Sequence, residues 1–140
     1  MIIREFTKED INNDLISLLK EVWNITEITN ETYEDFIQNN NHMFVVEYED
    51  QIIGCATLHL QKKLIRDGGI AGFIEDVIIK ENFRGKEIGS LLIKKLIDKS
   101  KELGCYKVVL SCFPERENFY IKNGFYKESA NMRYEYGKNS

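Results

Sequence analysis

The stretch that decides the fold is residues 70–112, IAGFIEDVIIKENFRGKEIGSLLIKKLIDKSKELGCYKVVLSC. Its first segment, residues 70–80, is apolar and rich in β-branched side chains, which predicts a strand. Apolar residues then recur at helical spacing over residues 85–103, which predicts an amphipathic helix ended by Gly104. The apolar run at residues 105–112 predicts another strand. A strand–helix–strand unit of this kind places its two strands parallel, with a right-handed crossover.

The segments on either side of this unit continue the pattern of strands and helices. Strands are predicted at residues 2–6, 43–48, 52–60, 125–128 and 132–136, and helices after Thr7, after Asn30 and from Pro114 to Asn123–Gly124. The order is then β-α-α-β-β-β-α-β-α-β-β. We therefore expect an α+β protein with a mixed, mostly antiparallel twisted sheet flanked by helices, folded as a single domain over residues 1–140.

Composition and charge narrow the classes of protein that this chain can represent. With 140 residues, 43% of them hydrophobic, it is long enough to bury one core. The net charge of -4 argues against nucleic acid as the main partner. The chain has no apolar run of membrane-spanning length and no signal-like N-terminus, so we expect a cytoplasmic protein with no membrane partner.

Cysteine and histidine usage argues against a metal site. The cysteines Cys55, Cys105 and Cys112 are odd in number and lie in apolar runs, so we expect free, buried thiols in a reducing compartment. No CxxC motif occurs, and the histidines are His42 and His59. We therefore expect no metal. His59 alternates with apolar residues in a predicted strand, and we interpret it as structural.

The loop from Arg84 to Gly89, R-G-K-E-I-G, lies between a predicted strand and the start of a predicted helix. Backbone N–H groups at a helix N-terminus lack intrahelical partners, and the helix dipole favours an anion there. Glycines at 85 and 89 allow close approach of the backbone, Arg84 and Lys86 add positive charge, and Ser90 offers a hydroxyl. A phosphate or pyrophosphate fits this loop, and a basic helix cap is the alternative. Neither GxxxxGK[ST] nor GxGxxG occurs.

The loop and the order of elements resemble the GNAT superfamily of acyl-CoA-dependent N-acyltransferases. The signature of that superfamily is Gln/Arg-x-x-Gly-x-Gly/Ala, and Arg84 and Gly89 match its ends. Glu87 stands where the central glycine is usual. A second match is Asn118-Phe119-Tyr120 followed by Asn123-Gly124-Phe125. The resemblance implies the GNAT fold, with acetyl-CoA as cosubstrate and its pyrophosphate on this loop.

Two further segments narrow the resemblance to the branch whose acceptor is glucosamine 6-phosphate. They are Gly72-Phe73-Ile74-Glu75-Asp76 and Gly104-Cys105-Tyr106-Lys107, and the similarity covers roughly residues 20–136. The branch implies direct attack of a small-molecule amine on the thioester of acetyl-CoA, giving N-acetylglucosamine 6-phosphate for UDP-GlcNAc biosynthesis. It also implies a homodimer with the terminal strand at the interface.

The resemblance assigns catalytic roles to Glu75, Asp76 and Tyr120. Neighbouring residues of a regular strand point to opposite faces, so Glu75 and Asp76 serve one site only if the strand bulges there. Tyr120 would donate a proton to the departing thiolate, and the backbone N–H of Val77 would lie near the acetyl oxygen. The implied cofactor contacts are Val77, Ile78, Ile79, Arg84, Gly85, Lys86, Glu87, Ile88, Gly89, Ser90 and Asn118.

The resemblance also assigns residues to the acceptor site, with some departures. The implied substrate contacts are Thr26, Lys63, Arg66, Glu75, Asp76, Tyr106, Lys107, Ser111 and Arg133. The branch has an Asp where Ser111 stands, and it has a phosphate-binding Arg where Glu135 stands. Arg133 lies two residues earlier, on the same face of the predicted strand, and could substitute. Arg116 stands where family members use Asn near the cofactor.

These departures leave two other functions open. One is a GNAT acetyltransferase for another small amine, such as an unphosphorylated amino sugar, a polyamine or an antibiotic, which Glu135 and Ser111 favour. The other is a non-catalytic module that binds coenzyme A or a nucleotide. The retention of Tyr120 and of both carboxylates argues against this second alternative.

Overall fold

A computed structural model describes residues 1–137 of the chain. The chain divides into two compact units, Met1–Leu110 and a second unit that begins at Ser111. Among the described residues, no helix has both the length and the apolar character needed to cross a membrane.

The first unit is built on one five-stranded mixed sheet. Its strands are β1 (Ile2–Glu5), β2 (Asn41–Tyr48), β3 (Gln51–Lys62), β4 (Ile70–Ile79) and β5 (Cys105–Leu110), and they lie in the order β1-β2-β3-β4-β5. The first four strands pair antiparallel, whereas β4 and β5 pair parallel. The predicted parallel strand–helix–strand unit is confirmed.

Four helices and two 3-10 turns connect the strands of this unit. They are the 3-10 turn Lys8–Asp10, α1 (Asn13–Lys20), α2 (Asn30–Gln38), α3 (Ile65–Gly68), the 3-10 turn Glu81–Phe83 and α4 (Ile88–Glu102). The helix predicted after Thr7 starts later than expected, because the carboxylate of Asp10 accepts the Thr7 N–H at 2.7 Å and closes a 3-10 turn instead. The first long helix begins at Asn13, where the side chain of Asn12 accepts the Leu15 N–H at 3.0 Å.

Apolar side chains of α1 and α4 pack on the sheet to form the core. Leu15 and Leu18 of α1 cluster with strand residues that include Val45 and Cys55. The α4 residues Leu92, Ile93 and Leu96 are fully buried. Each such side chain contributes roughly 1.5–3 kcal/mol on removal from water. Helical spacing in the sequence also predicts that Ile37 and Leu91 are buried, but they are 41% and 46% exposed.

An ion network ties the N-terminal strand to the following turn. Arg4 donates to both oxygens of Asp10 at 2.7 and 2.8 Å and to Glu47 of β2 at 2.9 Å. Burial alone would raise the pKa of Asp10, but the hydrogen bonds from Arg4 and from the Thr7 N–H hold that pKa below its ordinary value. Asp10 is only 5% exposed, so its charge depends on these partners.

The second unit contains the 3-10 turn Pro114–Arg116 and α5 (Glu117–Lys122), and its other described residues form no helix or strand. The strands predicted at residues 125–128 and 132–136 are wrong for the described part of this unit, where no strand occurs. A short strand is stable only when it is paired and packed. The tyrosines and the methionine of this segment instead have exposed side chains, at 81% for Tyr126, 88% for Met132, 82% for Tyr134 and 94% for Tyr136.

The three cysteines are free, as predicted, but only one is buried. Cys55 lies in the core, and its burial together with the nearby charge of Asp76 raises the pKa of its thiol to about 12. The expectation of a buried site is wrong for Cys112, which is exposed, and Cys105 is half-buried. The strand predicted over residues 105–112 ends at Leu110, so Cys112 lies two residues beyond it.

Candidate active site

A β-bulge in β4 carries the two candidate catalytic carboxylates. Thr57 of β3 pairs with Glu75, but Cys55, two residues earlier, pairs with Ile78, three residues later. The β4 strand therefore contains one extra residue between these pairs, which is the definition of a bulge. Asp76 has φ of 54°, a left-handed conformation that Asp tolerates better than most residues. The bulge that the sequence required for a shared site is confirmed.

The bulge brings Glu75 and Asp76 together beside His59 of β3. One carboxylate oxygen of each residue and one ring nitrogen of His59 all lie within 4.8 Å of one another. Both carboxylates are exposed and His59 is half-buried. Donors of these types could also hold a metal ion, so the expectation of no metal stays a prediction.

Sequence reasoning missed the position of His59, because it was interpreted as a structural strand residue. His59 Nδ1 is 2.5 Å from Asn41 Oδ1 on the neighbouring strand. The register of the β3–β4 pair brings it to the site: His59 lies opposite Phe73, and Thr57 lies opposite Glu75 two residues along. Residues two apart in a strand share a face, so His59 and Glu75 lie on the same face.

The edge of β4 that follows the bulge is not paired with β5. The parallel ladder ends at the pair Ile74–Leu110, whereas β4 continues to Ile79. The candidate cofactor contacts Val77, Ile78 and Ile79 lie in this segment. Ile78 is buried and contributes to the core, so it is the backbone of this edge, rather than its side chains, that could bind a ligand.

The loop that leads into α4 contains two residues with a left-handed backbone, Gly85 and Glu87. Gly85 has φ of 76°, and a Cβ added there would meet nothing within 4 Å. Glu87 has φ of 63° and ψ of 6°, a left-handed conformation that costs least in a residue without a Cβ. Ile88 is the first residue of α4, and Leu91 is bonded to the Glu87 carbonyl at 3.2 Å. The glycine-like geometry is therefore kept in spite of the substitution.

The two basic residues of the loop, Arg84 and Lys86, make different contacts. Arg84 donates from Nε to the Ile79 carbonyl at 2.8 Å, and its guanidinium lies 3.7 Å from the carboxylate of Glu21. These contacts fix the loop to the end of β4. Lys86 lies with its Nζ 5.6 Å from the centre of the Phe83 ring, and it is exposed. Gly89 and Ser90 lie in the first turn of α4, at the positive end of its dipole.

A second group of predicted residues meets around the ring of Tyr106 at the start of β5. The guanidinium carbon of Arg66 lies 5.0 Å from the ring centre, and Lys107 Nζ lies 5.6 Å from it. Gly69 allows this packing, because a Cβ there would come within 2.9 Å of the ring. Lys63 is half-buried, and its N–H bonds to the Gly69 carbonyl at 2.8 Å. Two cations beside one aromatic ring form a positively charged corner.

The positively charged corner and the carboxylates belong to the same region of the sheet. Lys107 pairs with Ala71, and Ala71 lies four residues before Glu75 on β4. That spacing is roughly 13 Å along the strand, and both residues lie on one face. Thr26 is placed elsewhere: it lines an open groove of about 330 Å³ with Ile28 and residues of α1, and none of the other candidate substrate contacts lines that groove.

The second unit contains Tyr120 and the remaining candidates. Tyr120 lies in α5 and packs edge-on against Phe119 and Phe125, with ring centres 5.0 and 5.8 Å apart. Burial raises the pKa of its phenol, the neighbouring Cys112 raises it further and Arg116 opposes them. Tyr120 is therefore protonated at neutral pH. Asn118 is exposed in the same helix.

The other two candidates of this unit lie outside its helix. Ser111 is exposed at the start of the unit. Arg133 is paired with Glu135, so the two residues are indeed close, although not on a strand as expected.

Comparisons with known proteins agree on one family. The family model described as "Acetyltransferase (GNAT) family" matches residues 8–125. Glucosamine 6-phosphate N-acetyltransferase of Arabidopsis thaliana is 32% identical over 93% of this chain and 93% of its own length. The Candida albicans enzyme of the same name is 30% identical over 87% of each. A crystal structure of the Arabidopsis thaliana enzyme superposes with a TM-score of 0.87, covering 97% of this chain and 98% of its own, at 30% identity.

Proposed function

This chain belongs to the acetyltransferase (GNAT) family, and we propose that it transfers the acetyl group of acetyl-CoA to the amine of glucosamine 6-phosphate. The observation that carries the proposal is the bulge at Asp76, which gathers two carboxylates and a histidine beside the unpaired edge of β4. Relatives of this length and similarity, named for that reaction, support the choice of acceptor.

The two carboxylates, Glu75 and Asp76, act on the amine of the acceptor. An amine is an ammonium ion at neutral pH and attacks only after it loses a proton. Glu75 and Asp76 are both exposed and both negatively charged, so they bind the ammonium and help remove its proton. The nitrogen lone pair then attacks the thioester carbonyl directly, and no covalent enzyme intermediate is needed.

A backbone N–H group and one phenol act on the thioester of acetyl-CoA. The N–H of Val77, next to the bulge, is the proposed donor to the oxyanion that develops on the acetyl group. The C–S bond then breaks, and the departing thiolate needs a proton. Tyr120 is the proposed source, because its raised pKa keeps the phenol protonated throughout the neutral range.

Acetyl-CoA is the proposed cosubstrate, bound along β4 and at the start of α4. The pyrophosphate is proposed to lie on the N–H groups of the loop from Arg84 to Ser90, where Gly85 leaves open space. Lys86 is exposed beside this loop and contributes positive charge. Asn118 of the second unit stays a proposed cofactor contact by resemblance.

The phosphate of the acceptor is proposed to bind at the positively charged corner formed by Arg66 and Lys107. Both cations share the ring of Tyr106, which fixes their positions without neutralising their charge. Lys63, Thr26, Ser111 and Arg133 stay weaker proposals, since no described contact of theirs points to a ligand.

Several broader expectations are proposals as well. We propose one acetyltransferase domain, since the family match at residues 8–125 continues past the division at Leu110. We also propose a cytoplasmic homodimer whose product, N-acetylglucosamine 6-phosphate, enters UDP-GlcNAc biosynthesis. The exposed aromatic side chains between Tyr126 and Tyr136 would suit a subunit interface. Light scattering tests whether the protein is a dimer, and a mass near the 16.4 kDa of one chain would refute the dimer.

The test of function is thiol release from acetyl-CoA with glucosamine 6-phosphate, glucosamine and spermidine at equal concentrations. A kcat/KM at least tenfold higher for the phosphorylated sugar supports the proposal. A preference for either unphosphorylated amine would contradict it and favour a different acceptor. The ion pair between Arg133 and Glu135 favours that second candidate, because it partly neutralises a cation proposed for the phosphate.

A further inference from the structure

His59 has a hydrogen-bonding environment that defines which of its ring nitrogens carries a proton. The side-chain N–H of Asn41 donates to the Phe36 carbonyl at 3.0 Å, which orients the amide of Asn41. Its Oδ1 therefore faces His59 Nδ1, at 2.5 Å. An amide oxygen only accepts hydrogen bonds, so Nδ1 must carry the proton. In the neutral ring the lone pair then belongs to Nε2.

The charged groups that face His59 are the two carboxylates of the bulge. Glu75 and Asp76 of β4 lie within 4.8 Å of a His59 ring nitrogen. The residues paired with His59 across the sheet, Asn41 on β2 and Phe73 on β4, are uncharged, as are Thr57 and Gln61 on its own strand. His59 therefore faces two acidic side chains.

From this arrangement, and resting on the proposed function, we propose that His59 Nε2 is the base that accepts the proton of the acceptor amine. A carboxylate with an ordinary pKa near ~4 is a weak base at neutral pH, whereas imidazole titrates near ~6.5. Glu75 and Asp76 hold the ammonium and then stabilise the imidazolium, while Nδ1–H remains bonded to Asn41. Asn41 thus orients the base His59, as the third group does in a catalytic triad.

The step balances without any added reactant. An N–H bond of the ammonium breaks, and its proton forms the Nε2–H bond of the imidazolium. The freed lone pair forms the C–N bond, the C–S bond breaks, and the thiolate takes a proton from Tyr120. The new C–N bond leaves the nitrogen with a positive charge and one surplus N–H proton, and that proton passes through solvent to the phenolate of Tyr120. The imidazolium loses its proton to solvent, so the products are the amide, the thiol of coenzyme A and one proton.

The chain offers a matched control, because its only other histidine lies on the neighbouring strand. His42 is half-buried, and burial lowers its pKa, with the charge of Glu5 opposing and that of Lys99 adding to the effect. It pairs with Leu58, one residue before His59, and therefore points to the other face of the sheet. His42→Gln changes the same residue type without touching the carboxylates.

The experiment measures kcat, KM and the pH dependence of kcat/KM for the wild type, His59→Gln, His59→Ala and His42→Gln. We expect His59→Gln to lower kcat about 100-fold or more at pH 7, with little change in KM. In His59→Gln, the fall of kcat/KM on the acidic side of the pH profile should also disappear. Imidazole in the buffer should partly restore His59→Ala, which a purely structural role would not allow. His42→Gln should behave as the wild type.

Nitrogen NMR of the wild type supplies a readout that does not depend on turnover. We expect the neutral ring of His59 to be the Nδ1–H tautomer. The Nε2–H tautomer, or an acidic limb that survives in His59→Gln, would overturn the inference. A wild type that acetylates none of the three amines would overturn the proposed function and this inference together. Unchanged binding of coenzyme A by each variant shows that it is folded.

Discussion

Thr57 and Glu75 face each other across the β3–β4 ladder, and this pair is the last before the register shifts by one residue. The placement of the two candidate catalytic carboxylates follows from that shift. Without it, Asp76 would point to the opposite face from Glu75. With it, both carboxylates meet His59.

The left-handed conformation of Asp76 predicts that two substitutions at this position will differ in their effect on stability. Asn populates φ near +54° nearly as readily as Asp, so Asp76→Asn should fold normally and lose activity through loss of charge. Asp76→Val should cost roughly 1–3 kcal/mol in the free energy of unfolding, because a β-branched residue is strained there. Urea unfolding of both variants checks this, and equal stability of the two would contradict the bulge.

Glu87 predicts tighter cofactor binding when it is replaced. Its carboxylate lies in the loop proposed for a pyrophosphate, and exposed like charges a few ångströms apart repel by roughly 0.5–1 kcal/mol. Glu87→Gln removes the charge and should lower the Kd for coenzyme A about threefold at low salt. Glu87→Gly also removes the strain of φ at 63° and should bind at least as tightly.

Calorimetric titration of both Glu87 variants at low and high salt separates the two effects. The gain in Glu87→Gln should shrink at high salt, because salt screens exposed charges. Weaker binding by both variants would place the pyrophosphate away from this loop.

Tyr120→Phe should lower kcat about 100-fold, as expected for the loss of a general acid, with the Kd for acetyl-CoA nearly unchanged. Because burial raises the pKa of Tyr120 above its ordinary value, the wild-type rate should not fall from loss of this proton below pH ~10. Tyr126→Phe in the same unit is the control, since Tyr126 is 81% exposed. Equal kcat for the two variants would remove Tyr120 from the mechanism.

The positively charged corner predicts an effect confined to the phosphorylated acceptor. Lys107→Met and Arg66→Met should each raise KM for glucosamine 6-phosphate about tenfold, or ~1.4 kcal/mol, and leave KM for glucosamine nearly unchanged. Lys95→Met, on the exposed side of α4, is the matched control. Parallel increases for both sugars would show that the corner binds the sugar ring rather than the phosphate.

The Arg4–Asp10 pair predicts that part of the free energy of unfolding depends on pH. Asp10→Asn should cost about 2 kcal/mol at pH 7, less than for a fully buried pair because Arg4 is about a third exposed. Since the pKa of Asp10 is lowered in the folded state, this stabilisation is full above pH ~4 and is lost as the pH falls through the folded pKa.

Asp98→Asn is the control for that measurement, because the Lys94–Asp98 pair is exposed and worth at most ~0.5 kcal/mol. Urea unfolding at pH 7 and pH 3 distinguishes the two variants. The difference between wild type and Asp10→Asn should persist at pH 7 and shrink at pH 3, and a difference that is independent of pH would contradict the assignment.

The sequence predicted those features that are specified locally. The helix after Arg84 and the strands on either side of it follow from periodicity, and the need for a bulge follows from two adjacent carboxylates in one strand. The role of His59 was missed because it depends on the register between three strands, which no local pattern encodes. The terminal strands were predicted wrongly because the alternation around Tyr134 describes a segment that could pair, and the described residues of its own unit contain no strand to pair with.

The differing exposure of the cysteines determines how this protein responds to thiol-directed reagents. Only a thiolate attacks such reagents, and burial raises the pKa of the Cys55 thiol to about 12, so Cys55 should be silent in the folded protein. Cys112 is exposed and should react first, although burial of its sulfur and the charge of Glu117 raise its pKa. A colorimetric measurement of released coenzyme A will therefore contain a stoichiometric background from the protein itself. Delayed labelling of Cys55 would in turn report directly on opening of the core.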